Sequence, residues 1–204
     1  KNLKINKNKG NFLIKGDIEN KDTILNDELL KILGLDIDNI KVLNTNFNSK
    51  NKFSFNVNER FKIKNLSITS EIQVNKSEYM KPHYLVDFIP KGKDVIHIKN
   101  HKIISKYEDN KFTAEGGGEI KLEEKFDKIN YKINFSEKKL NFISNIMLSE
   151  IKLKKQKFLK PFFPGLNKII DLKNQRIEIN YNNNDLIIKG SGKIKLTNQF
   201  ENID

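Results

Sequence analysis

The sequence contains no cysteine, which excludes disulfides, iron–sulfur clusters and thiolate zinc sites. Arginine is nearly missing too: of 38 Lys and Arg residues only Arg60 and Arg176 are arginine. A surface that reads bases favours arginine, whose planar fork pairs with guanine. The formal charge of +12 and the pI near 9.6 therefore do not point to nucleic acid as a partner. Lys, Asn and Ile dominate throughout, as an AT-rich coding sequence would produce, and the lysines alternate with apolar residues instead of forming one stripe. No run approaches the roughly 18 apolar residues of a membrane span, and no segment here reads as a signal peptide. The first residue is not Met and the opening is already strand-like, so the chain reads as a slice of a longer protein.

What is present is a motif that occurs twice in full. Asn110–Leu122 reads NKFTAEGGGEIKL and Asn184–Leu196 reads NDLIIKGSGKIKL, with a partial copy at Asn11–Ile18. Self-similar strand segments at long spacing indicate an array of β units that stack on one another to complete a core. The rest of the chain has period two, which sends alternate side chains to opposite faces of a sheet. Phe53, Phe55, Val57, Phe61 and Ile63 share one face. Leu66, Ile68, Ile72 and Val74 repeat the pattern, as do Ile129, Tyr131, Ile133 and Phe135, and then Ile177, Ile179 and Tyr181. Strands of this one-sided kind form an antiparallel sheet with one wet face.

Turn-forming residues separate these runs at 8–11, 49–51, 108–110, 136–138 and 182–185, which makes the chain a meander. One helix is expected from Asp22 to Leu33, started by Asp22 or Thr23 and ended at Gly34, and a weaker one from Leu166 to Leu172. The expected organisation is a closing hairpin over 1–20, a helical connector over 21–38, one antiparallel β-groove unit over 39–197, and a linker or next unit over 198–204. Gly116, Gly118, Gly190 and Gly192 interrupt long strands. They read as bends of the sheet, or as room for a bound chain if they face its concave side.

Tests for chemistry are negative. His83, His97 and His101 have no metal-ligand spacing and read as surface or half-buried groups. Glu119, Glu123, Glu124 and Asp127 are interleaved with Lys121, Lys125 and Lys128, the pattern of a solvated strand face and turn. Ser144, Ser149 and Ser191 lack a nucleophile elbow, and Gly116–Gly118 is followed by no helix that could complete a phosphate loop. No enzyme, cofactor or metal is expected. The apolar segment Phe158–Leu166 reads as a loop covering a sheet end, or as a rim that contacts lipid or a partner.

The long meandering strands, the helix between units and the closing hairpin Leu186–Leu196 resemble the AsmA-like superfamily, the repeating β-groove envelope proteins of the YhdP and TamB type. The resemblance implies a periplasmic protein anchored in the inner membrane. Its curved sheet would form an open groove that carries phospholipid towards the outer membrane or maintains that membrane. The expected fold is mainly β: a long curved antiparallel meander sheet, open as a groove, with one or two short helices. Phospholipid or another acyl lipid is the expected ligand, lined by the four apolar runs named above without Leu66. Adjacent repeats would join by edge-strand pairing, with the membrane reached through parts of the parent chain outside these residues. A closed β-sandwich scaffold or adhesion module without a ligand is the competing expectation, and a lipopolysaccharide-bridge jellyroll a third.

Overall fold

The computed structural model describes residues 2–8, 10–32, 41–89, 94–157, 161, 165, 168–195 and 199–204. Its strands are β1 (Asn2–Asn8), β2 (Asn11–Leu25), β3 (Val42–Asn58), β4 (Ile63–Met80), β5 (Val95–Glu108), β6 (Lys111–Lys121), β7 (Phe126–Ser136), β8 (Lys139–Lys154), β9 (Ile169–Asn182), β10 (Asp185–Lys195) and β11 (Phe200–Ile203). Helix α1 (Asp27–Ile32) follows β2, and α2 (His83–Phe88) follows β4. Among the described residues all 11 strands lie in one antiparallel sheet in sequence order, and β1 and β11 are its two free edges. The sheet is mainly β, open and a pure meander, as the alternation and turn residues predict. A single sheet with free edges is not a sandwich. The strand β2 runs through residue 20, where one unit was expected to end, and pairs directly with β3.

The tight turns sit at one end of the sheet. Asp109–Asn110, Glu137–Lys138 and Asn183–Asn184 all have positive φ, the two-residue geometry whose twist matches antiparallel strands. Two expectations fail here. The turn expected at 49–51 lies in the middle of β3, where Ser49, Lys50 and Asn51 pair with β4. The actual turn follows Asn58, whose Oδ1 accepts from Arg60 N at 3.1 Å and Lys62 N at 2.9 Å. Phe61 therefore does not share the face of Phe53: it occupies this turn at φ 56° and is 88% exposed.

The helix expected over 22–33 is shorter. Thr23 and Leu25 are strand residues opposite Phe47 and Thr45. The helix starts after Asn26, whose Oδ1 accepts from Leu29 N at 2.9 Å. Pairing with β3 overrides the local helical spacing because it satisfies the same backbone groups and places Leu25 on the sheet face. Leu33 and Gly34 lie outside the described residues. The helix expected at 166–172 is also wrong: Ile169–Leu172 belong to β9, and Leu166 and Asn167 are not described. Most of Phe158–Leu166 and the boundary at 197/198 likewise fall outside the described residues. Helix α2 had no counterpart in the sequence expectation.

A line of irregularities crosses the strands. Asp22, Asn100 and Asn174 have φ of 46°, 51° and 51°. On β4, β5, β8 and β9 the inward side chains then come three residues apart instead of two: Val74 then Ser77, Ile98 then His101, Leu148 then Ile151, Leu172 then Gln175. Such bulges bend and twist strands, and Asn and Asp tolerate the left-handed backbone they require. Side chains accept the amides turned out of the ladder: Asn48 Oδ1 takes Asp22 N at 2.7 Å, and Asp127 Oδ1 takes Ser149 N at 2.7 Å.

The packed core is small and lies at the end opposite the tight turns. Ile89 and Leu85 of the α2 segment reach across to Leu148 and Ile151 of β8, joined by Leu122, Leu153 and Leu172. Leu30 of α1 is buried, and α1 touches β3. The accessible surface is 14704 Å², against about 9,900 Å² for a compact monomer of this mass. The excess is what a single layer with an uncovered face exposes.

Candidate ligand groove

The cross-strand registers assemble one continuous inner face. Phe53, Ile68, Tyr107, Phe112, Phe135 and Leu140 stand opposite one another in turn from β3 to β8. The next rows carry Ile133, Phe142, Tyr181 and Leu186, then Ile72, Ile103, Gly116, Tyr131, Ser144, Ile179 and Ile188. A fourth contains Val74, His101, Ile129, Ile146, Ile177 and Gly190. Phe55 and Val57 extend the face on β3, opposite Ile14 and Phe12, and Ile63 closes it opposite Val57. Apart from Phe61, every apolar residue named from the sequence as groove lining thus lies on this one face. Sequence reading missed Ile14, Phe47, Tyr107, Phe112, Phe142 and Leu186, although each obeys the same alternation.

Charge separates the two faces. From β2 to β10, Asp127 is the only carboxylate on the inner face, and no Lys or Arg stands there among the described residues. The outer face carries ion pairs across and along its strands, including Lys102 Nζ–Glu71 at 2.7 Å and Lys99 Nζ–Glu119 at 3.2 Å. Lys102 beside Glu71 holds that carboxyl below the usual carboxylate range. These pairs are solvated and mark the wet side. The described surface depressions, such as one of about 400 Å³ around Glu19, Lys50 and Glu71, lie mainly among outer-face side chains. From β2 to β10 the inner face spans about 38 Å across the strands, for eight spacings of ~4.8 Å.

The motif glycines make room for rings. A Cβ on Gly116 would lie 2.6 Å from Tyr131 Oη, and one on Gly118 would lie 2.6 Å from His101 Cα. Gly16 is covered in the same way by Phe53. Gly192, at φ 157°, lies beneath Gln175, whose Nε2 donates to Lys173 O and Lys193 O. Gly190 alone of the four is open, with nothing nearer than 3.9 Å. Gly116 and Gly118 are therefore occupied by neighbouring rings, not left free for a ligand. Their strand pairs with β7 without interruption, so the bend opposite them belongs to β5.

His101 is buried, with 5% of its surface exposed, which corrects the surface or half-buried expectation. Its ring stacks on Tyr131 at 5.5 Å, and Nε2 is 3.1 Å from Tyr131 Oη while Nδ1 has no partner among the described residues. Burial pushes the imidazole pKa down and the Tyr131 phenol up. The unfolded chain then binds more protons than the folded one around and below about pH 6.5, until the folded imidazole protonates as well. The stability linked to His101 is fully present above that pH and is lost as the pH falls below it. Urea midpoints measured from pH 7.5 to 5.5 should fall for the parent chain and stay nearly level for His101→Phe. The lowered carboxyls, Glu71 among them, act at more acid pH, and Glu123, which burial raises, acts in the opposite sense and equally in both chains, so the difference between the two slopes reports His101. Equal slopes would remove His101 as the cause.

Among the described residues no cluster of metal-ligating side chains occurs. Compared with known proteins, the chain matches no family model, no curated protein and no solved structure. The reading of its function rests on the groove.

Proposed function

We propose that this chain is a non-enzymatic segment of a lipid conduit, which holds acyl chains against its inner face as part of a longer envelope protein. The observation that carries the reading is the mainly apolar, nearly charge-free face on an open sheet. Each methylene kept out of water is worth about 0.8 kcal/mol, so exposing one acyl chain of ordinary length costs on the order of 10 kcal/mol. A trough of this length offsets most of that cost along its whole run. In this reading the parent is periplasmic and anchored in the inner membrane, as the AsmA-like resemblance implies, and transfer serves outer-membrane maintenance. The free edges β1 and β11 would pair with neighbouring repeats and extend the trough.

The free edges also suit the rival reading, a scaffold or adhesion module, since a neighbour in a larger assembly could cover the same face. Native mass spectrometry with lipid extraction separates the two. A conduit segment should carry stoichiometric acyl lipid from the expression host. A ligand-free, well-folded chain would favour the scaffold.

A further inference from the structure

The inner face is not uniformly apolar. Asn20, Ser49, Asn51, Ser70 and Ser105 lie together on β2 to β5, with Asn20 opposite Ser49 and with Asn51, Ser70 and Ser105 successively opposite. Both Asn20 Nδ2 and Asn51 Nδ2 donate to Ser49 Oγ at 3.0 Å, which fixes both carboxamides. Their amide oxygens receive no side-chain donor, and the Ser70 and Ser105 hydroxyls have no partner, among the described residues. A protein face otherwise dedicated to hydrocarbon gains nothing from unpaired hydroxyls and amides unless a ligand pairs with them.

A second feature borders this patch. Phe53, next inward after Asn51 on β3, lies flat over Gly16: a Cβ there would be 2.5 Å from Phe53 Cζ. Its ring stacks against Phe55 at 6.1 Å with an interplanar angle of 24°. A flat aromatic plane beside uncharged donors and acceptors matches a pyranose, whose C–H face lies on an aromatic ring while its hydroxyls both donate and accept.

Resting on the conduit reading, we infer that β2 to β5 form a head-group site for a neutral, polyhydroxylated lipid such as a glycolipid, with the acyl chains running towards β6 to β10. A phosphate does not fit here. Lys15, Lys50, Lys52 and Lys102 of the same strands belong to the outer face, so an anion on the inner face would be buried without a cation.

The test uses two probes with the same twelve-carbon chain, dodecyl maltoside and dodecylphosphocholine, each titrated calorimetrically below its micelle concentration into the intact chain. The maltoside should bind at least about tenfold tighter, a gap of ~1.4 kcal/mol. Ser70→Val with Ser105→Val should abolish that advantage while retaining phosphocholine binding. The corresponding pair of alanines, which adds no volume, is run alongside, with circular dichroism as the check on folding. Equal binding of both probes by the parent would overturn the head-group site and leave the conduit standing. A preference that survives in the folded variants would overturn this location for it. Binding of neither probe would overturn the conduit reading itself.

Discussion

Ile133→Asp and Phe55→Asp should each cut copurifying lipid at least about tenfold while strand content survives, whereas Leu148→Asp should unfold the chain. Ile133 stands on the inner face between Ala114 and Phe142, half-buried, and the helices pack elsewhere. A carboxylate placed there stays hydrated when the trough is empty. We expect a stability loss of about 1–2 kcal/mol, the ordinary range for a substitution that removes apolar contacts at a wet surface. With lipid bound the same carboxylate would be desolvated by hydrocarbon without a partner, which is far more costly. Leu148 is 6% exposed and sits under Ile89, so its aspartate cannot reach water in the fold. Several kcal/mol for an unpaired buried charge would consume most of a typical stability of about 5–15 kcal/mol. Lipid extraction and urea unfolding measure both quantities. If Ile133→Asp unfolds as completely as Leu148→Asp, the inner face is covered in solution and the scaffold reading gains.

Gly118→Ala should destabilise the chain by at least about 2 kcal/mol, because its Cβ would collide with backbone and not with a movable side-chain tip. The atom in the way is His101 Cα, 2.6 Å from the new methyl group, on a strand already displaced by its bulge. Gly190→Ala should do the reverse and stabilise by about 0.5–1 kcal/mol, since glycine within a strand carries an entropic cost and this site is open. Thermal midpoints should drop by roughly 4–8 °C in the first variant and rise by about 1–4 °C in the second, given 2–4 °C per kcal/mol at this chain length. A neutral Gly118→Ala would mean that β5 and β6 separate more readily than their pairing implies. Both glycines belong to the repeated Gly-x-Gly motif, so their opposite responses separate motif from environment.

The apolar side of each strand was legible because alternation is a local property. The pleat alone sends Phe53 and Phe55 one way and Ser54 the other, whatever lies next to them. Phe61 shows the limit of that reasoning. It keeps the parity of Phe55 and Val57, yet the backbone turns after Asn58, and a turn held by an asparagine carboxamide without glycine or proline gives little warning in the sequence. Leu25 shows it again, since helical spacing and strand spacing both suit it and the β3 partner decides. The polar patch escaped notice because Ser49 and Asn51 read as a turn, and Asn20, Ser70 and Ser105 lie far from them along the chain. Read singly, each is an ordinary strand or turn residue.

By itself, then, the sequence determined the β class, the meander, three of its two-residue turns and the sidedness of most strands, all consequences of interactions within a few residues. The tertiary structure alone decided how those sides align into one face, that the bulges fall in a line across the strands, and that α2 reaches β8. It also decided that aromatic rings, not a ligand, occupy Gly116 and Gly118. These features depend on cross-strand register, and register is set by backbone hydrogen bonds between segments that the chain brings together only on folding.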